Sequence, residues 1–421
     1  MSDGKEKRKK APGKKKVEQK AMILDSWDRL NARQRFVWNK LITGAFRVGV
    51  SKALVIRAIS LANKVAEDVI AHRLMGSWTP SGDAWEMLRL ADSADTAASR
   101  PYPFCLAHPL LEPSSSLGPV TDWLAEWKWD GIRAQLIRRA GKTFVWSRGN
   151  ELITQRFPEM EALGSTLPDG TVLDGELIGW QADRVLPFAH LQTRIARIKL
   201  SKAILSKVPV TLLVFDVLEW RGEDIRTWPL QKRRELLESL GVRVSPAIVA
   251  PTWEELAIQR SRARELGSEG LMLKRLDSPY RTGREKGIWW KWKVDPYSVD
   301  AVLIYAQKGS GKRASLFTDY TFGVWSDSKL VPFAKAYSGL TDEEILEVDK
   351  FVRQNTLERF GPVSTVRPEL VFEIAFEGIQ VSTRHKSGVA VRFPRMARWR
   401  KDKKPEDADS VETVKALLGG V

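Results

Sequence analysis

The chain is almost without cysteine: 421 residues include one, Cys105. A lone thiol excludes an intramolecular disulfide framework and any four-cysteine zinc module, and it fits a reducing cytoplasm. No apolar run approaches the roughly 18 residues that a membrane-spanning helix requires, so no membrane partner is expected. The start lacks the apolar core of a secretory signal. Instead, residues 1–20 hold nine Lys and Arg against three Asp and Glu. There is no internal repeat, and no low-complexity segment beyond that basic stretch. Acidic charge is in deficit throughout, with 52 Asp and Glu against 68 Lys and Arg and a formal net charge of +16. Such a balance marks a protein that binds a polyanion. Residues 1–22 read as a disordered tail that adds salt-sensitive, sequence-independent attraction to phosphates.

What is present organises into several parts. From Leu24 to about Met75 the apolar spacing is helical, with Phe36, Val37, Leu41 and Ile42 on one face. Ser51 is placed to cap a helix carrying Leu54, Val55, Ala58, Ile59 and Leu61, and a third helical stretch holds Val65, Val69 and Ile70. Residues 76–120 are rich in Pro, Ser and Gly and read as linker and entry loop. From Asp122 to Lys293 short β-like runs alternate with turns and basic helices. The runs from Thr171 and from Val210 read as buried strands; Gln231–Leu240 and Thr252–Leu266 read as amphipathic helices. After Asp295-Pro296, short strands and one acidic helix near Thr341–Gln354 suit a small β-barrel of the OB kind. The expected fold class is multidomain α+β. It comprises a partial all-α segment (23–103), an α+β domain (104–295) and a C-terminal OB-like barrel with its tail (296–421).

The residues that bear chemistry are spread along this plan. Lys128 stands between Trp127 and Trp129, followed by the Asp130-Gly131 turn and Arg133. A lysine amine becomes a nucleophile only after losing its proton, which desolvation and cationic neighbours favour. The two indoles are expected to exclude water here, and downstream Lys and Arg to supply the positive field. Then follow Ser147-Arg148-Gly149, Asp174-Gly175-Glu176, Phe215-Asp216, Glu269-Gly270-Leu271-Met272-Leu273-Lys274, Lys291-Trp292-Lys293 and Arg400-Lys401-Asp402-Lys403. Each has a plain structural reading. Asp174-Gly175 is a common hairpin turn, Phe215 a core aromatic at a strand end, Trp-Lys alternation a half-exposed strand, and the Arg400 run a solvated surface.

Taken in this order and spacing, these segments resemble the successive motifs of the covalent nucleotidyltransferases, the superfamily of ATP-dependent DNA ligases, RNA ligases and mRNA capping enzymes. The resemblance implies that Lys128 is the nucleophile and forms a lysyl-AMP phosphoramidate. It implies ATP as cofactor, with Mg2+ (or Mn2+ in its place) held by Glu176 and Glu269, whose hard oxygens suit a cation that keeps several waters. Phe215 would stack on the adenine, Met272 would line the same nucleotide site, and Glu126 would sit by the exocyclic amine. Arg133 and Arg148 match positions that contact ribose and phosphates, including the 5′-phosphate of a nick. Lys291 and Lys293 match the pair at the α-phosphate, where positive charge stabilises the transition state. Arg400, Asp402 and Lys403 match the motif that orients pyrophosphate. Because that motif lies in the barrel, the barrel must close over the nucleotide for self-adenylation and swing away for DNA, with Asp295 at the hinge position and Pro296 stiffening it.

Within the superfamily, details favour a DNA ligase. Phe46-Arg47-Val48-Gly49-Val50-Ser51 resembles a signature of the ligase DNA-binding domain, and Arg384-His385-Lys386 with Arg392-Phe393-Pro394-Arg395 resembles the approach to the last motif. The resemblance spans roughly residues 23–405 and is to the bacterial ATP-dependent ligases that carry an N-terminal DNA-binding domain. Only about the last 80 residues of that helical domain are recognisable, so either the domain is truncated, or the chain's start is late, or the basic tail has replaced its missing half; nick binding is expected to be weaker and more salt-sensitive. The implied activity is sealing of nicks in duplex DNA by a cytoplasmic, nucleoid-associated monomer. The rival readings are an RNA ligase or capping-type enzyme, and a degenerate, non-catalytic DNA-binding relative. A zinc-bearing NAD-dependent ligase is disfavoured by the single cysteine.

Overall fold

The computed structural model describes residues 14–42, 50, 52–65, 67–74, 81–89, 98–149, 151–195, 197, 200–309 and 313–420. The chain divides into two compact units, Met1–Asp92 and Ser93–Val421.

The first unit is helical, with helices Lys14–Arg29, Ala32–Ile42, Lys52–Asn63, Glu67–Arg73 and Gly82–Arg89. Two of these differ from the sequence expectation. The first begins inside the basic stretch read as a disordered tail, and the last lies inside the stretch read as linker. Gly82–Arg89 forms because Trp85, Leu88 and their neighbours have helical spacing, and Leu88 is buried there with Ile56, Val69 and Ile70. The helix Ala32–Ile42 forms as the spacing requires, yet none of its residues is buried and Phe36, Leu41 and Ile42 stand exposed. The Phe46–Gly49 signature and the capping Ser51 lie outside the described residues.

The second unit holds the sheets. A six-stranded sheet runs in the order Lys142–Ser147, Ile132–Arg139, Thr171–Gln181, Val210–Trp220, Glu223–Asp224, with Arg184–Val185 added on the Thr171 strand. A five-stranded sheet runs in the order His108–Pro109, Trp289–Lys293, Ser268–Arg275, Trp123–Trp129, Ala247–Ile248. The two strands that flank the Asp130-Gly131 turn belong to different sheets, so this turn joins them at the site. Gly131 is needed there, because a Cβ would come within 2.5 Å of the Leu177 carbonyl oxygen. The first sheet packs on a core of Leu136, Phe157, Leu173, Leu177, Leu212 and Val214, and the second on Trp123, Trp253, Leu271 and Leu273.

Beyond Asp295 the long strand Tyr297–Lys308 pairs with three others: Phe317–Ser326, Val363–Val366 and Val371–Phe376. A strand that changes partner along its length curls its sheet, and here the curl encloses Phe322, Phe372, Phe376 and Ile374. The helix Asp342–Gln354 starts at a capping box between Thr341 and Glu344 and lies against this core through Val348 and Val352. The architecture is multidomain α+β with a barrel of the OB kind.

Candidate active site

Strand alternation assembles most of the site. In Trp123–Trp129 the residues Glu126 and Lys128 share one face. Trp127 lies on the other, packed with the Trp253 and Leu271 cluster, and Trp129 donates its indole N–H to Ser245 Oγ at 3.0 Å. The indoles therefore do not wrap Lys128, contrary to the sequence expectation. A residue and its neighbour on a strand point to opposite faces, so flanking tryptophans cannot both cover the lysine between them.

Register sets the rest. Met272 lies opposite Glu126 on one side and Lys291 on the other, so three strands contribute one row. Between Ser268 and Leu271 the register shifts by a bulge, beside Lys128. Ser268 Oγ donates to the Lys128 carbonyl at 2.9 Å, and Gly270 adopts φ +138°, which a side chain disfavours. A Cβ at Gly270 would also come within 2.4 Å of the Trp292 carbonyl. The bulge turns Glu269 onto the lysine face, where its carboxylate takes a hydrogen bond from Lys128 Nζ and lies 3.3 Å from Lys293 Nζ. On the first sheet, Arg133 stands opposite Glu176.

These groups line a cleft of about 540 Å³ that also receives Leu106, Ala107, Arg148, Phe215, Lys274, Arg284, Trp289, Arg392 and Phe393. Its size suits a nucleotide-scale ligand. Burial pushes the Glu176 carboxyl up to about 8, against the pull of Lys128 and Arg133. Burial acts the same way on Glu269, but Lys128 and Lys293 overcome it and hold that carboxyl below its ordinary value. Lys291 is held below its usual value by burial and by Lys293, Arg284 and Lys128, with Glu269 opposing.

Several expected site residues are committed to protein partners. Glu126 is buried, with Arg234 Nη1 at 2.7 Å on one oxygen and Lys274 Nζ at 2.5 Å from the other. Arg133 donates to Asp174 at 3.2 and 2.7 Å, to the Cys105 carbonyl at 2.5 Å and to Tyr280 Oη at 3.3 Å. Its guanidinium lies 5.4 Å from the Phe215 ring centroid and 5.3 Å from that of Trp289. Arg148 and Lys291, by contrast, have no ion pair among the described residues. Arg400 and Lys403 are not brought to the cleft. Both bind Asp300 within the barrel, and Asp402 pairs with Arg400. Asp295 has a highly exposed side chain between the strands Trp289–Lys293 and Tyr297–Lys308.

The barrel does reach the cleft through other residues. Arg392 pairs with Asp130 and lies 5.0 Å from the Phe188 ring centroid, while Glu377 lies 3.4 Å from Lys293 Nζ and 3.0 Å from Arg395 Nη1. The sequence motifs include Lys274 without a role for it and do not include Arg234, Arg284, Trp289 or Glu377. Period-two spacing from Met272 was a usable signal for Lys274; the others come from separate elements.

Among the described residues no cluster of three or more acidic, His or Cys side chains is built to hold a metal. Of the four carboxylates that line the cleft, Glu126 is taken by Arg234 and Lys274 and Asp130 by Arg392, which leaves Glu176 and Glu269 as the candidates. Glu176, whose burial disfavours its charge, fits a place where a divalent cation is to be bound. Two protein oxygens also suit a cation that takes its other ligands from phosphate and water.

A family model described as ATP dependent DNA ligase domain matches residues 105–293, and one described as ATP dependent DNA ligase C terminal region matches residues 313–403. A protein named probable DNA ligase from Koribacter versatilis is 35% identical over 413 residues, which cover 90% of this chain and 71% of that protein. A DNA ligase from Thermococcus fumicolans is 30% identical over 398 residues, with 90% and 71% covered. A probable DNA ligase from Opitutus terrae is 32% identical over 456 residues, and this chain spans 44% of its length. The solved structure named Pmar-Lig_PreS3 superposes with a TM-score of 0.54 at 19% identity, over 75% of this chain and 74% of that one.

Proposed function

The chain belongs to the ATP-dependent DNA ligases, and from that premise we propose that it seals nicks in duplex DNA with Lys128 as the nucleophile. The observation that carries the reading is the placing of Lys128 on Glu269 in a cleft that also holds Lys291 and Lys293. An ammonium has no lone pair, so the lysine must first give up its proton. Its Nζ then attacks the α-phosphorus of ATP, a P–N bond forms, the bond to the β-phosphate oxygen breaks, and pyrophosphate leaves. Lys291 and Lys293 stabilise charge on the α-phosphate oxygens. The 5′-phosphate of the nick next attacks the same phosphorus; the P–N bond breaks and Lys128 recovers a proton. The 3′-hydroxyl finally attacks the DNA phosphate and AMP leaves.

Glu176 and Glu269 would hold a divalent cation, Mg2+ or Mn2+, which when bound offsets phosphate charge. Phe215 and Met272 would bracket the adenine, and Glu126, fixed by Arg234 and Lys274, would face its amine edge. Arg148 is suited to the nick 5′-phosphate because it lines the cleft and has no ion pair among the described residues. Arg133, whose donors serve Asp174, Cys105 and Tyr280, would act first by holding Phe215 and the Asp174 strand in place. Arg400 and Lys403 would meet the pyrophosphate only after the barrel turns about Asp295. We assign residues 104–295 to the adenylation domain, 296–421 to the OB domain and 23–103 to a helical DNA-binding part, in a cytoplasmic monomer.

The test is intact-mass measurement after incubation with ATP and Mg2+. Wild type should gain one AMP on Lys128, Lys128→Ala none, and the charged enzyme should seal a labelled nick. An adduct from GTP in preference to ATP, or none from either, would remove this reading.

A further inference from the structure

We infer that Asp300 is the positioning residue for Arg400 and Lys403, holding the two cations together as one unit that receives pyrophosphate. The inference rests on the ligase reading above and deepens it. Asp300 is no part of the cleft and carries no role in the reaction described so far. It sits early on the strand Tyr297–Lys308 with its carboxylate about nine-tenths buried. A single oxygen, Oδ2, accepts from Arg400 Nη1 at 2.8 Å and from Lys403 Nζ at 2.7 Å. Two like charges converge on that atom. Without an intervening anion they repel, and two long side chains lose their fixed geometry.

The frame behind the carboxylate is rigid. Asp300 N–H donates to Asp409 Oδ2 at 2.7 Å, and Asp409 N–H returns a bond to the Asp300 carbonyl at 2.8 Å. Arg400 N–H donates to the Val371 carbonyl at 2.8 Å, and Asp402 holds the other side of the guanidinium at 2.7 Å. Arg400 and Lys403 each keep N–H groups beyond those that Asp300 and Asp402 use. All of these residues lie after Asp295, so turning the barrel carries the group as one body, already assembled. Pyrophosphate presents adjacent phosphoryl oxygens, and two cations sharing one carboxylate oxygen are spaced to meet such neighbours. Preorganisation of this kind matters only where pyrophosphate is present: in lysyl-AMP formation and its reversal. Sealing of a nick that already carries AMP involves no pyrophosphate.

The experiment compares Asp300→Asn with wild type in three assays: lysyl-AMP formation from ATP, pyrophosphate-driven removal of AMP from the charged enzyme, and sealing of a pre-adenylated nick. The first two should fall by roughly 10- to 100-fold, the scale for misplaced catalytic groups, with a raised KM for pyrophosphate. The third should stay within about twofold. Asp300→Glu, which restores the anion, should recover part of the loss. Wild-type rates of lysyl-AMP formation in Asp300→Asn would overturn the inference. Equal loss in all three assays would too, because Asp300 would then support the barrel and not the pyrophosphate step. Absence of any AMP adduct on wild type would instead be a failure of the ligase reading.

Discussion

At the scale of single residues, burial does most to set reactivity. Cys105 is almost fully buried, and burial pushes its thiol up to about 11, with Arg133 pulling the other way. An unfolded thiol titrates near roughly 8.5. Because the folded value is raised, the stability this group contributes is complete below the unfolded value and is lost as pH climbs through 11. Native protein at pH 8 should therefore resist a thiol reagent such as DTNB, and protein unfolded in guanidinium should react at once. Rapid labelling of the native form would contradict the burial. That Lys128, Glu176, Phe215, Glu269, Lys291 and Lys293 share one cleft was legible, because they punctuate the chain in the order of the motifs they resemble. How each is engaged was not. Neither the Lys274 and Arg234 contacts of Glu126 nor the Asp174 contact of Arg133 can be read from spacing, since the partners lie far apart in sequence.

At the scale of elements, the bulge in the strand Ser268–Arg275 decides the site, because it turns Glu269 toward Lys128. Gly270 carries a positive φ and has no room for a Cβ against the Trp292 carbonyl. Gly270→Ala should cost at least ~2 kcal/mol, since backbone strain and a backbone clash add. Thermal denaturation checks the stability, and lysyl-AMP formation should fall with it. A variant with unchanged melting and activity would mean that the bulge tolerates a side chain. Strand and helix positions here were largely legible. Thr171–Gln181 and Val210–Trp220 are strongly apolar, and Thr341 with Glu344 marks a helix start. The bulge was not, because Ser-Glu-Gly reads equally well as part of a regular strand or as a turn. The helix Gly82–Arg89 was hidden for another reason: the Pro, Ser and Gly around it dominated the local composition.

At the scale of the whole molecule, the excess of positive charge governs binding. With +16 overall and a basic first helix beginning at Lys14, affinity for nicked duplex should fall at least ~10-fold between about 50 and 200 mM salt, as counterion release requires. Fluorescence anisotropy at the two concentrations measures this, and equal affinities would sink the expectation. Within Ser93–Val421, the barrel meets the cleft through Arg392 on Asp130 and Glu377 on Lys293, while Arg400 and Lys403 stay with Asp300. This arrangement offers the cleft a different set of barrel residues from the one expected to attend pyrophosphate.

The order and spacing of Lys128, Glu176, Phe215, Glu269, Lys291 and Lys293 along the chain carried the resemblance to the family, and the family models and relatives bear that family out. Strand and barrel content followed from apolar periodicity, which is local. Tertiary structure alone decided that the tryptophans beside Lys128 face away from it, that Glu269 is its partner, and that Asp300 gathers Arg400 and Lys403. These are contacts between residues separated by tens to hundreds of positions. Their geometry depends on register, bulges and the curl of a sheet, which periodicity does not encode.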